Sequence, residues 1–273
     1  MPFVDASDGT RLYYQDWGTG KPVVLVSAAF MNSEMWELQM TYLASSGLRC
    51  IAYDRRGHGR SDWPGEGYDY ETLASDLAAL IESLNLQDIT LVGYSMGSGE
   101  VVRYLSRYGS ERVARIAILA GTAPFLRKTE DNPDGIEQRA FDSMVAKRTQ
   151  DRPKWFADNA PPFFGAGLPG NSVSSERVQW GTQMCLQCSP KATIDCSDSF
   201  FHTDFRAEMS DIRIPTLIIH GDSDQSAPIH LCGQKSAKLV QGSKFIVYEN
   251  AAHGFFITHA DRLNADLLEF VNT

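Results

Sequence analysis

The stretch LVGYSMGSGE, residues 91–100, sets a serine between glycines, after an apolar run and before a segment that can start a helix. Gly93-Tyr94-Ser95-Met96-Gly97 has the form G-x-S-x-G. In a sharp strand-to-helix turn the serine is forced into strained backbone angles. The flanking positions must lack β-carbons so that strand and helix can crowd together. Such a turn lifts Oγ out of the sheet at the positive end of the following helix. Strain kept at one residue points to function. The bare pattern is moderately specific, and its strand–turn–helix setting is what makes it strong.

Working outward, ITLVGY (89–94) is one of a series of short apolar runs rich in β-branched residues. The others are VVLVS (23–27), CIAYD (50–54), RIAILAG (115–121), TLIIHGD (216–222) and KFIVYEN (244–250). Residues 3–17 flank the turn signal SDG and read as a hairpin. Between the runs lie helical patterns. Residues 70–86 place Leu73, Leu77, Leu80, Ile81 and Leu84 on one face, and residues 99–109 do so with Val102, Leu105 and Tyr108. Continuous apolar strands alternating with helices predict an α/β fold, a mostly parallel sheet covered on both faces.

The rhythm breaks between 123 and 208, where no convincing strand occurs. The organisation expected is therefore a core of residues 1–122 and 209–273 with a helical cap, 123–208, inserted after the sixth strand as a lid over the strand ends. The insertion carries ten aromatics: Phe125, Phe141, Trp155, Phe156, Phe163, Phe164, Trp180, Phe200, Phe201 and Phe205. Roughly two thirds of them are expected to form its own small core and the rest to line a pocket.

Composition narrows the function classes. Of the 273 residues 43% are hydrophobic and 22% charged, which is ordinary for a globular protein. A net charge of −9 argues against nucleic acid or an anionic membrane as a partner, since both attract basic surfaces. No apolar run approaches the ~18 residues of a membrane span. The start, MPFVDASDGT, shows no basic-then-apolar leader. Cys50, Cys185, Cys188, Cys196 and Cys232 are too few and too odd in number for a disulfide framework, and they suit a reducing, cytoplasmic setting. Cys185 and Cys188 form a CxxC but lack a second ligand pair, so they read as one face of a helix and no metal is expected. No phosphate-cradling glycine loop, dinucleotide fingerprint or H-E-x-x-H is present.

A serine hydroxyl needs a base, and the base needs an orienting acid. On this kind of sheet the chain order is serine, acid, histidine, each at a strand's C-terminal end. Of the six histidines, His253 lies in the loop after the last strand and is the candidate base. His58 precedes the serine, His202 is in the insertion, His220 precedes the acid, and His230 and His259 fall in helical patterns. Asp222 and Asp224 both satisfy the spacing for the acid.

The set GYSMG (93–97), DRRGHGRSD (54–62), HGDSDQSAP (220–228) and AAHGFFITHA (251–260) resembles the α/β-hydrolase superfamily. Within it the chain is similar to the bacterial arylesterases and cofactor-free haloperoxidases, or perhydrolases. TEDNPDG (129–135) and TDFRAEM (203–209) strengthen that match, which covers essentially the whole chain. The resemblance implies an eight-stranded α/β-hydrolase fold and selects Asp224 as the acid, three residues after Gly221 with Pro228 four further on, leaving Asp222 as a turn residue. It also implies that the N–H groups of Ala29 and Met96 form an oxyanion hole. One departure stands out: most family members carry His-Gly after the third strand, where this chain has Ser27-Ala28. Candidate pocket residues are Phe30, Tyr94, Thr122, Phe125, Phe200, Ile229 and Phe255.

The activity implied is serine carboxylester hydrolysis of small, largely apolar or aryl esters through an acyl-enzyme, with no cofactor and with perhydrolysis or acyl transfer as side activities. The expected partner is the small-molecule ester, and a homo-oligomer is compatible with the sequence. The alternative is a non-hydrolytic protein of this fold, a cofactor-free lyase or a ligand receptor, using the same three residues.

Overall fold

A computed structural model describes residues 2–273. The first two strands, β1 (Phe3–Asp5) and β2 (Arg11–Gly18), form the antiparallel hairpin that SDG predicts. Next come β3 (Pro22–Val26), α1 (Glu37–Ser45), β4 (Arg49–Tyr53), α2 (Tyr70–Ser83), β5 (Ile89–Tyr94), α3 (Gly97–Tyr108) and β6 (Val113–Leu119). Four helices follow: α4 (Gln138–Gln150), α5 (Arg152–Phe163), α6 (Ser175–Leu186) and α7 (Pro190–His202). The chain closes with α8 (Arg206–Ser210), β7 (Thr216–Gly221), α9 (Gly233–Leu239), β8 (Lys244–Tyr248), α10 (Phe255–Thr258) and α11 (Ala260–Val271). The strands make one eight-stranded sheet in the order β1-β2-β4-β3-β5-β6-β7-β8. Pairing is parallel from β4 onward and antiparallel on either side of β2.

The apolar runs read as strands because their side chains are needed on both faces. Val24 and Val26 of β3 enter a core with Leu73 and Leu77 of α2 and Val101 of α3. The alternate residues Val23 and Leu25 enter a second core with Met40 of α1 and Leu263 of α11. Each such fully buried side chain contributes about 1.5–3 kcal/mol. Asp69 starts α2 by accepting from the Thr72 backbone N–H at 3.0 Å.

The order of strands matters for function. The chain leaves β3 to one side for β4 and returns to the other for β5, so a crevice opens beyond the C-terminal ends of β3 and β5. Ser95 follows β5 directly, and residues 27–30 follow β3. The α4–α7 insertion lies over this end. It is tied to the core through the 54–62 loop and the loop after β3. Ser189 N–H donates to the Gly57 carbonyl at 2.7 Å, Gly59 N–H to the Gln187 carbonyl at 3.0 Å, and Asn32 Nδ2 to Gln187 Oε1 at 2.9 Å. The expected cap boundary at residue 208 falls inside α8, which runs on to Ser210.

His58 sits in this tether, fully buried. Its Nδ1 lies 2.8 Å from the Arg56 carbonyl and its Nε2 lies 3.4 Å from Cys188 Sγ, so the neutral ring donates on one side and accepts the thiol proton on the other. Burial first, and then the Arg55 charge, push its pKa from 6.5 down to about 3. A depressed folded value means the unfolded chain takes the proton first. The contribution of neutral His58 is therefore complete above the ordinary histidine value and is lost as pH falls toward the folded one, at about 1.4 kcal/mol per pH unit between them. Urea unfolding of wild type at neutral and mildly acid pH should show this decline, and His58→Gln should show a shallower slope. Equal slopes would remove His58 from the acid sensitivity.

Candidate active site

The turn at Ser95 has the geometry its glycines allow. Ser95 adopts φ 54°, a left-handed conformation unusual for a residue with a side chain. A β-carbon on Gly97 would stand 2.5 Å from the Val26 carbonyl oxygen and 2.8 Å from that of Ser27, both fixed backbone. One on Gly93 would stand 2.7 Å from Ser98 Cα. Gly97→Ala is accordingly expected to destabilise the protein by about 2–3 kcal/mol or to misplace Ser95. Chemical denaturation measures the first outcome and esterase assay the second; a variant unchanged in both would contradict this packing.

Ser95, His253 and Asp224 come together from three strand ends, and all three are buried. The Ser95 hydroxyl lies 2.9 Å from His253 Nε2, and His253 Nδ1 lies 2.6 Å from Asp224 Oδ2. The other carboxylate oxygen of Asp224 accepts the N–H groups of Ser226 at 2.9 Å and Ala227 at 2.8 Å. Burial alone would raise the Asp224 pKa. The charge and hydrogen bond of His253, with His220 Nε2 3.4 Å away, outweigh it and hold the carboxyl well below the usual carboxylate range. His220 donates from Nε2 to the Ala227 carbonyl at 2.7 Å, so it braces the same loop. Asp222 is exposed and bonds only its neighbour Ser223 among side chains, at 2.9 Å.

The loop after β3 is held despite lacking His-Gly. Arg55 Nη2 donates to the Ser27 carbonyl at 2.7 Å and Nη1 to the Ala28 carbonyl at 3.2 Å. The Ser27 hydroxyl donates to the Asn32 carbonyl at 3.2 Å, closing the loop on itself. Arg55 is itself fixed by Glu100 in the first turn of α3, Nε to Oε1 at 2.6 Å, and both are buried. The helix that carries the serine turn thus also fixes the loop facing it. Removing one partner of such a buried pair costs about 3–5 kcal/mol. The Ala29 and Met96 N–H groups have no hydrogen-bond partner among the described residues. Phe30 follows at φ 67°. This role of Arg55 escapes sequence reading; the DRRGHGRSD motif marks the residue without saying what it holds.

A profile of the α/β-hydrolase fold family matches residues 21–260. The chain belongs to that family. It is 38% identical to a non-heme chloroperoxidase of Kitasatospora aureofaciens and 37% identical to a bifunctional esterase/perhydrolase of Acinetobacter calcoaceticus, with 100% of both chains covered in each case. Among solved structures it is similar to a bromoperoxidase from Bacillus anthracis, with a TM-score of 0.96 and 38% identity over 100% of this chain and 99% of that one. The protein is an α/β hydrolase related to both non-heme haloperoxidases and esterases.

In this α/β hydrolase a cavity of about 460 Å³ lies between sheet and cap, with Ser95 and His253 in its wall. Of the pocket candidates from the sequence, Phe30, Thr122 and Phe200 line it. Four other candidates do not. Tyr94 points beneath the site into the second core, where its ring lies 5.8 Å from Trp36 and 5.2 Å from Phe255, and its hydroxyl donates to the His253 carbonyl. Phe255 is fully buried beside it. Phe125 is buried under Arg206, whose guanidinium stands 5.2 Å from the ring. Ile229 lies in the turn before α9, outside the wall.

The cap aromatics also divide differently from expectation. Of the ten, only Phe125, Trp180 and Phe205 stand outside the cavity wall. The cap itself builds most of that wall. Its apolar faces meet the cavity directly, and its separate cluster is a small one around Phe141 and Phe201, stacked at 4.0 Å, which themselves reach the wall. Phe163 ends α5 with its ring 5.2 Å from His253, and its carbonyl accepts the Gly254 N–H at 2.7 Å. Cys185 of the CxxC faces the cavity while Cys188 turns to His58, and all five cysteines are buried as free thiols. Among the described residues no helix is long and apolar enough to cross a membrane.

Proposed function

We propose that the protein is a serine carboxylester hydrolase. The observation that carries this reading is the unbroken hydrogen-bonded chain from Asp224 through His253 to the Ser95 hydroxyl, 2.6 and 2.9 Å, opening on a cavity of small-molecule size. Ser95 attacks the ester carbonyl as His253 takes its proton at Nε2. His253 then gives that proton to the leaving alcohol, and water repeats the sequence to release the acid. Asp224 fixes the tautomer with the Nδ1 proton toward itself and offsets the imidazolium charge. The unpartnered N–H groups of Ala29 and Met96 are the candidate oxyanion donors, each worth up to ~3–4 kcal/mol of barrier. Clamping of the Ser27 and Ala28 carbonyls by Arg55 supports this role, because backbone donors work only when their loop is held. It also weighs against the non-hydrolytic alternative, which a slack loop would favour.

Kinship with a protein named as both esterase and perhydrolase supports a second acceptor. Hydrogen peroxide in place of water would break the acyl–Oγ bond and form a peracid, its proton passing through His253 to Ser95. The test is to incubate the protein with p-nitrophenyl acetate and a fluorophosphonate probe. Ester turnover with a burst and labelling of Ser95 are expected; a single turnover leaving modified protein would favour a receptor. Peracid formation from acetate ester and peroxide reads the second activity.

A further inference from the structure

Arg148 is the single permanently charged side chain in the wall of the active-site cavity, and it has no counter-ion. It projects from α4 and is only 2% exposed, yet no carboxylate lies within 4.0 Å of it among the described residues. Nη2 donates to Ser197 Oγ and, at 3.4 Å, to the Thr193 carbonyl, both on α7. Nε and Nη1 have no hydrogen-bond partner among the described residues, although neither is sealed off. The guanidinium lies 4.7 Å from the Phe30 ring and 5.0 Å from that of Trp155, both of which line the same cavity.

Buried charges are ordinarily paired, because taking an ion out of water is expensive. The other buried arginines here obey the rule: Arg55 faces Glu100 and Arg56 faces Asp76. Only Arg148 breaks it, and the place where it does so is the wall around Ser95. Aromatic faces offset part of the charge but leave the in-plane N–H groups free. Of these, Nη1 carries unclaimed protons and can donate a charge-assisted hydrogen bond to a carboxylate, while the Nε–H points to the other side of the guanidinium.

We propose that Arg148 binds a carboxylate of the substrate, so that the preferred esters are monoesters of dicarboxylic acids or similar anions, with the charge at the end away from the reacting carbonyl. The proposal rests on the ester-hydrolase reading and narrows its substrate class. The mostly apolar wall would hold the carbon chain between the two ends. Burial lowers the Arg148 pKa to about 10, so the group remains a cation at neutral pH but an incompletely compensated one.

Two measurements test this. The first is kcat/KM for paired esters, the mono-p-nitrophenyl esters of succinic, glutaric and adipic acids against their methyl-capped neutral counterparts. Wild type is expected to prefer the anion at one of these lengths. Arg148→Gln should lower the anion-to-neutral ratio by about tenfold or more, and Arg148→Lys should keep part of it. A ratio that Arg148→Gln leaves unchanged, with both esters affected alike, would make Arg148 a clamp between α4 and α7 and overturn the proposal. The second is calorimetric binding of the monomethyl esters of the same acids to Ser95→Ala protein, which needs no turnover. Binding of the anion but not of the dimethyl ester supports the site even if ester hydrolysis is not the activity. Equal or absent binding of both, with hydrolysis intact, sinks the carboxylate site alone. Should Arg148→Gln fail to fold, the lysine variant and the binding arm still decide.

Discussion

Ser95→Ala is expected to abolish ester turnover and leave the fold intact. The hydroxyl makes one side-chain hydrogen bond, to His253 Nε2 at 2.9 Å, and nothing structural depends on it. The backbone at Ser95 is held by other groups. Its N–H donates to the Leu119 carbonyl at 2.8 Å, and its carbonyl accepts the Ser98 hydroxyl. Alanine tolerates the left-handed φ no worse than serine, so stability should stay within about 1 kcal/mol. Turnover should fall by about 10⁵- to 10⁶-fold, the remainder coming from substrate binding and the oxyanion donors. The check is kcat/KM on p-nitrophenyl acetate, with loss of fluorophosphonate labelling alongside an unchanged unfolding curve. An active Ser95→Ala protein would exclude the acyl-enzyme route.

The second large effect belongs to Asp224. An asparagine there meets a built-in conflict. The oxygen that accepts from the Ser226 and Ala227 N–H groups at 2.9 and 2.8 Å must remain an oxygen. The amide NH₂ is then turned toward His253 Nδ1, which must accept. That tautomer puts the proton on Nε2, where it faces the Ser95 hydroxyl and cannot take its proton. The equivalent change in a serine protease lowers kcat by about 10⁴-fold, and a loss of that order is expected here. Asp222→Asn, at an exposed position, should change little. Reversal of the two effects would mean that Asp222 is the acid.

The pH dependence follows from the same carboxylate. Its folded pKa is depressed below the ordinary 3.8, so it remains charged throughout any mildly acid range, and its stabilising contribution is lost only as pH falls below that ordinary value and through the folded one. Any decline of activity on the acid side should therefore show a slope of no more than one proton, with none taken up by Asp224. A slope of two would show that Asp224 titrates as well.

Much of this is legible in the sequence because the relevant chemistry is local. The serine turn is visible since the two glycines that admit it are its near neighbours, and their need is imposed by backbone atoms alone. The sheet is visible because strands buried on both faces must be apolar without interruption. Position after a strand end brings His253 to Ser95, since a parallel sheet gathers all such ends at one edge. Between Asp222 and Asp224 spacing is silent, and only the family resemblance chooses. The tertiary structure adds that Asp224 is buried against His253 while Asp222 faces solvent.

The pocket is another matter. Tyr94 adjoins Ser95 in sequence, yet the strand's alternation sends its ring beneath the site. Phe163 and Arg148 stand far from Ser95 in sequence, yet the packing of the cap places them in the same wall. That Arg148 lacks a counter-ion follows from no local pattern, since acidic residues abound in the chain. Arg55 likewise stands in a legible motif, but its hold on the Ser27 and Ala28 carbonyls joins three separate segments. The backbone geometry of a turn and the apolar runs that become strands are dictated by adjacent residues, and these the sequence determines by itself. Which side chains converge on a cavity depends on the angles at which distant helices pack, and that only the tertiary structure decides.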